Sequence, residues 1–277
     1  CLGLVTQLMA QEETETAKKE APAKKYARAT FNATKIINFQ STEIVTPGVL
    51  QFMISHHFSH IWSKDGGSQN IAQFFGLNSG VAHTYLSLDY SPMKWMNTGI
   101  ALAGGSKYEA FVKFKILRQQ TGAMNIPVSV SWYSMGNVNT AKDPDNGFTG
   151  NKFSFLHQLL IARKFSDKIS LQLSPTWIHF NVVPYGINNS NEVFSLGIAG
   201  KYKATSKLNI TVEYSRQLNM YENLISKNGA IVNYNPDLLS VGAEISTGTH
   251  LFQFYIGSTT EASLIDQLSR NNSKIKD

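Results

Sequence analysis

The chain lacks most of the features that mark soluble enzymes. Cys1 is its only cysteine, so no intrachain disulfide and no cysteine-held zinc is available. Charged residues are only 16% of 277, a low share for a water-exposed surface. No run of about 18 consecutive apolar residues occurs, which excludes a transmembrane helix but not a transmembrane barrel. There is no Walker loop, HExxH pair or dinucleotide fingerprint, and no serine sits in a GxSxG elbow. Ser55 beside His56 is a dipeptide within a strand pattern. No basic run is interleaved with aromatics, and many of the basic residues cluster at the two ends of the chain. The net charge of +6 therefore gives no reason to expect nucleic acid.

What the chain has is alternation. Residues 154–165 and 168–178 read as two extended segments about the turn Phe165-Ser166-Asp167-Lys168. In the second, Ile169, Leu171, Leu173, Pro175 and Trp177 share one face, and Ser170, Gln172, Ser174 and Thr176 the other. This is the period of a strand with unlike faces. The same hairpin unit recurs from Gly48 onward. In 48–58 Leu50, Phe52, Ile54 and Phe58 oppose Gln51, Met53, Ser55 and His57. In 81–91 Ala82, Leu86, Leu88 and Tyr90 oppose His83, Tyr85, Ser87 and Asp89. Residues 95–104 return with Ile100 and Leu102 on the apolar face. In 108–118 Ala110, Val112, Phe114 and Ile116 oppose Glu109, Lys113 and Lys115. In 126–135 Ile126, Val128, Val130 and Trp132 oppose Ser129, Ser131 and Tyr133. Residues 192–203 pair with 207–217, where Leu208, Ile210, Val212 and Tyr214 oppose Asn209, Thr211, Glu213 and Ser215. Last come 237–247 and 250–259, the latter with Phe252, Phe254 and Ile256 on one face.

The ends read differently. CLGLVTQLMAQ, residues 1–11, resembles the back half of a secretory signal peptide, with cleavage after Ala10 or Gln11. A buried N-terminal element and a lipid-bearing Cys1 are the competing readings. Residues 12–31 are rich in Glu, Lys and Ala and read as a charged periplasmic linker. The barrel domain is expected over 32–277. Within it 33–39 is either a short strand or a plug inside the barrel, and 260–277 is a polar tail without strand signal.

The connections sort by length. The very short turns, around Pro92, Ser166, Ser206 and Gly248, all fall on the side from which the first strand starts. The long polar loops (59–80, 136–151, 179–191 and 218–236) fall on the other. This is the pattern of an outer-membrane barrel, with short periplasmic turns and long extracellular loops. The expected fold is an all-β, up-and-down antiparallel transmembrane barrel. Such a barrel is closed because an open sheet edge in hydrocarbon leaves backbone groups unpaired. Polar residues would then face the lumen: Gln51, Ser55, His57, His83, Tyr85, Asp89, Lys113, Lys115, Gln172, Ser174 and Glu213. Leu86, Leu88, Phe114, Ile116, Leu171, Leu173, Trp177, Ile210, Val212, Phe252 and Phe254 would face lipid. Tyr90, Trp95, Trp132, Trp177, Tyr202 and Tyr214 lie near predicted strand ends, where an aromatic belt would sit. Eleven strands are counted from Gly48. Even numbers are the rule in bacterial single-chain barrels, so about twelve are expected in the full-length protein, with the final strand missing here.

The runs GVLQFMISHHF, LDYSPMKW, FVKFKILRQQTG, PVSVSWYSM and HQLLIARKFSDKISLQLSPTWIH resemble an uncharacterised family of Bacteroidota outer-membrane β-barrel proteins, classed as a domain of unknown function. The resemblance covers about 33–259. It implies the fold and the outer membrane, brings no accepted activity, and implies a final strand in full-length relatives.

For function, His57 and His83 fall on the polar faces of neighbouring strands. Two luminal imidazoles suit a transition metal or haem iron, or packing inside a narrow pore. No third ligand is placed by spacing, and no metal or cofactor is expected. His157 and His179, flanking the 154–177 hairpin, carry the same two readings. The chain is therefore expected to be a non-enzymatic, porin-like outer-membrane barrel contacting membrane lipid. It would pass or bind a solute, or serve as scaffold for an envelope protein partner. The alternatives are an outer-membrane enzyme with a site at the loop rim, and a soluble secreted barrel binding an apolar ligand. If the membrane reading holds, Leu171→Arg impairs assembly and Gln172→Arg is tolerated.

Overall fold

Each predicted strand is present, within a few residues of its expected bounds. The computed structural model describes residues 23–58, 83–141, 152–182, 190–219, 221–223, 232–234, 237–248 and 250–269. Eleven strands form one sheet in chain order. They are β1 (Leu50–His57), β2 (His83–Met93), β3 (Met96–Ala103), β4 (Lys107–Leu117), β5 (Ser129–Asn139) and β6 (Phe153–Lys164). There follow β7 (Ile169–Phe180), β8 (Glu192–Lys203), β9 (Leu208–Gln217), β10 (Asp237–Thr247) and β11 (His250–Gly257). All neighbours pair antiparallel, which makes an up-and-down β-barrel. At the meeting of β1 and β11, Ser55 Oγ and His57 Nε2 lie 3.2 and 3.1 Å from the Tyr255 hydroxyl. Among the described residues no backbone ladder joins these two strands, and the main sheet has no twelfth strand.

The meander has two unlike ends. At one, tight turns join β2 to β3, β6 to β7, β8 to β9 and β10 to β11. Gly248 there has φ +77°, a left-handed conformation that glycine adopts without Cβ strain. The four longest connections, 58–82, 140–152, 181–191 and 218–236, lie at the other end, with the tight β3–β4 turn at 104–106, while the 118–128 connection joins the turn end; much of the long ones, including the predicted 59–80 loop, is outside the described residues. The 218–236 connection is not wholly irregular, since Tyr221–Asn223 pairs with Val232–Tyr234. The predicted loop at 136–151 starts late, because β5 continues to Asn139.

The faces separate sharply. Outward side chains include Phe52, Ile100, Leu171, Ile198, Val241 and Phe254, all exposed. The charged residues of the outer wall sit at its margins: Arg163 at the turn end, and Glu192, Arg216 and Asp237 at the loop end. Inward side chains include Ser87, Asp89, Lys113, Ser131, Gln158, Thr211 and Glu213, all buried. Not all of the inner wall is polar. Phe111, Met135, Leu156, Leu160, Ile178, Phe180, Val193 and Leu238 form an apolar patch within it. Two pieces of chain outside the strands pack there. One is the stretch before β1, carrying Phe31, Ile36 and Phe39; the other is α1 (Leu264–Ser269), carrying Leu264, Ile265 and Leu268.

Candidate functional site

The lumen is the site, and it is filled by the protein's own chain. Residues 30–42 form a compact insert. Ile36 N–H donates to Phe39 O at 2.9 Å, and Ser41 N–H donates to Thr34 O at 2.9 Å. This tight fold turns the N–H groups of Ile37, Asn38 and Phe39 toward β9. There the Glu213 carboxylate accepts all three, at 2.7, 2.9 and 3.0 Å. Successive backbone N–H groups around a carboxylate make a nest, and a buried anion binds strongly in one. On the opposite wall the Lys113 ammonium donates to Thr34 O and Glu43 O, both at 3.0 Å. A fixed anion thus takes the insert's donors and a fixed cation its acceptors.

Further contacts ring the insert. Gln172 Nε2 donates to Gln40 O at 2.7 Å and Gln253 Nε2 to Ile36 O at 2.7 Å. Lys201 Nζ reaches Asn32 Oδ1 at 3.0 Å, and Asn32 Nδ2 reaches Glu244 at 3.2 Å. Lys115 pairs with Glu43 at 3.5 Å. The Phe39 ring lies against Gly197, where an added Cβ would meet it at 2.7 Å. Lys35 Nζ stands 3.5 Å from the centre of the Tyr85 ring. Burial pushes the Lys35 ammonium below the ordinary lysine range, and the Glu109, Asp89 and Glu213 carboxylates oppose that shift.

The loop end has its own closure. After β11 the chain turns back into the barrel, and α1 lays Leu264, Ile265 and Leu268 on the apolar inner patch. Lys107 Nζ meets Asp266 at 2.5 Å. Glu109 accepts from Ser263 Oγ at 2.5 Å and from Asn137 Nδ2 at 3.1 Å.

These positions bear on the sequence-based expectations. Residues 33–39 are not a strand but a plug. The linker ends before residue 31, since Lys25–Tyr26 pairs with Gln120–Thr121 and Thr30 and Phe31 are buried. The signal-peptide region, 1–11, lies outside the described residues. Gln51, Ser55, His57, His83, Tyr85, Asp89, Lys113, Lys115, Gln172, Ser174 and Glu213 all sit on the inner wall. Of these, Gln51, Lys113, Gln172 and Glu213 bond directly to the plug, and Lys115 to Glu43 just after it. Leu86, Leu88, Phe114, Ile116, Leu171, Leu173, Trp177, Ile210, Val212, Phe252 and Phe254 all point outward. His57 and His83 are directly paired across β1 and β2, and both nitrogens of the His57 ring approach the Tyr255 hydroxyl. Among the described residues no group of three or more His, Cys, Asp or Glu gathers as a metal site. His157 and His179 belong to the outer wall. His157 stacks on Trp177 at a centroid distance of 5.1 Å and lies tilted against Trp132 at 5.8 Å, and His179 meets Glu192 at 2.6 Å.

The plug reading of 33–39 is the one the structure takes; what sequence reasoning missed is its extension over 30–42, the partners that hold it, and α1. Their signals were present but short. Ile36, Ile37 and Phe39 punctuate a polar stretch, and Leu264, Ile265 and Leu268 fall at helical spacing in a tail read as featureless.

An antiparallel sheet curled until its edge strands meet through Ser55, His57 and Tyr255, apolar outside, largely polar inside and filled by its own chain, defines a membrane-bound β-barrel with a plugged lumen. The chain belongs to the family described as a membrane bound beta barrel domain (DUF5777), which it matches over residues 31–277. No curated protein matches it.

Proposed function

We propose that this protein is a non-enzymatic outer-membrane barrel that anchors or scaffolds an envelope partner and is not a standing pore. The observation that carries this reading is the filled lumen. The plug and α1 occupy the interior from both ends, and polar groups that would line a channel hold the plug instead. The outer-membrane assignment draws on the family's description and on the sorting of turns and loops. The turn end is then periplasmic and the outward residues of β2, β4, β7, β9 and β11 face lipid. Exposed apolar surface on this scale is not sustained by a soluble monomer, which disfavours a secreted ligand carrier. The resemblance to Bacteroidota barrels is in keeping with this placement.

Three measurements test the reading. The protein should fractionate with the outer membrane and show heat-modifiable gel mobility. In planar bilayers the intact chain should show no steady conductance. Affinity capture from cross-linked outer membranes should return one envelope protein in constant ratio. Steady open-channel conductance of the intact chain would remove the scaffold reading in favour of solute passage, and recovery as a soluble monomer would remove both.

A further inference from the structure

We propose that the turn end of the barrel is a collar that binds the phosphate headgroups of anionic phospholipids. The inference rests on the reading of this protein as a membrane barrel and adds a lipid preference confined to one leaflet. Six exposed cations carry it: Lys94, Arg118, Arg163, Lys168, Lys203 and Lys207. They occupy the β2–β3, β4–β5, β6–β7 and β8–β9 connections and the adjoining strand ends. None of the six takes part in an ion pair among the described residues. Asp167 is the one exposed carboxylate described at this end, and it is engaged by Lys164 at 3.4 Å. The N-terminal strap adds Lys24, Lys25 and Arg28 to the same side, all exposed. Among the described residues the loop end shows no such excess: Arg216 is its one exposed cation, and half-buried Lys107 and Lys152 stand against half-buried Glu192, Asp237 and Glu261.

The distribution selects lipid over an acidic protein. A protein partner needs cations on one side of the molecule, whereas these are spread along successive hairpins. Five of the six stand beside an exposed apolar or aromatic group at this end. Lys94 adjoins Trp95, Lys168 adjoins Ile169 and Lys203 adjoins Tyr202. The Arg163 guanidinium lies 5.0 Å from the Phe165 ring centre, and Arg118 lies 4.6 Å from that of Tyr26. Aromatic rings at the headgroup level, with cations reaching past them, are the arrangement that holds lipid phosphates at a bilayer surface.

The test is electron spin resonance of the full chain reconstituted in neutral phosphatidylcholine vesicles containing trace spin-labelled lipid. The fraction of label immobilised on the protein should be larger for phosphatidylglycerol than for phosphatidylcholine, by about fivefold in relative affinity at low salt. It should approach equality in molar salt. K94Q/K168Q/K203Q/K207Q should insert normally and lose most of the preference, while Arg216→Gln at the loop end should keep it. Normal insertion of wild type without any preference overturns the collar and leaves the barrel reading intact. A quadruple variant with undiminished preference also overturns it. Failure of the wild-type chain to insert in either vesicle overturns the membrane reading and the collar together. Absent lipid preference, with polyglutamate protecting these lysines from acylation, overturns it in favour of an acidic protein face.

Discussion

Glu213 and Lys113 do opposite jobs on the same stretch of chain. Glu213 holds three N–H groups and Lys113 two carbonyls, all belonging to the plug or its exit. A buried hydrogen-bonding group that loses its partner costs about 1–3 kcal/mol, more if charged. Glu213→Ala should therefore lower stability by about 2–4 kcal/mol, read as a lower urea midpoint of the folded protein in detergent micelles. An unchanged midpoint would mean that the plug does not depend on this anchor. Gln172 corrects an expectation at the same scale. Alternation makes it a luminal position open to Arg, but it is 1% exposed and bonded to Gln40 O. An arginine there has no room beside the plug. Gln172→Arg should still insert, yet expose the 30–42 segment to added protease; a protection pattern like that of wild type would refute this.

The β6–β7 hairpin shows what a strand pair specifies and what it leaves open. Its turn and the faces of β7 follow from alternation: Leu171, Leu173 and Trp177 are outward, and Gln172, Ser174 and Thr176 inward. Leu171→Arg should impair folding into vesicles by roughly 2–4 kcal/mol if it lies near the bilayer midplane. Equal folding yield of L171R and wild type in both vesicles and detergent would take the bilayer out of the explanation. The faces of β6 were not legible, because Phe155, Leu156, Leu159, Leu160 and Ile161 are apolar on both sides. Only packing shows that Leu156 and Leu160 turn inward to the buried patch. Gly197 on β8 is a related case. Its missing side chain leaves space for the Phe39 ring. Gly197→Val should keep the sheet and dislodge the plug, seen as increased amide exchange within 34–41 and unchanged exchange in β8.

At the scale of the molecule, the interior is closed twice by segments that enter from opposite ends. The plug comes in at the turn end and leaves there through Gly48, whose N–H donates to Ser91 O at 3.0 Å. α1 comes in at the loop end. Removal of either segment should leave the other blocking the bore. Excision of both 30–45 and 260–277 should give ion conductance in planar bilayers, where the intact chain gives none. A silent double deletion that still shows heat-modifiable mobility would mean that the wall collapses on itself without its contents.

Local alternation was sufficient to determine the eleven strands, their order and nearly all of their faces. Each of those features depends on residues close in sequence, and a period of two survives any tertiary arrangement. The division of turns from loops was legible for the same reason. The plug was not. Glu213 binds residues that lie 174 to 176 positions away, and Lys107 meets Asp266 across 159. No local pattern encodes such a pairing. A carboxylate on a polar strand face reads the same whether it lines water or grips a backbone nest. That the lumen is filled, and with what, was decided only when the sheet curled and brought both ends of the chain to its inner wall.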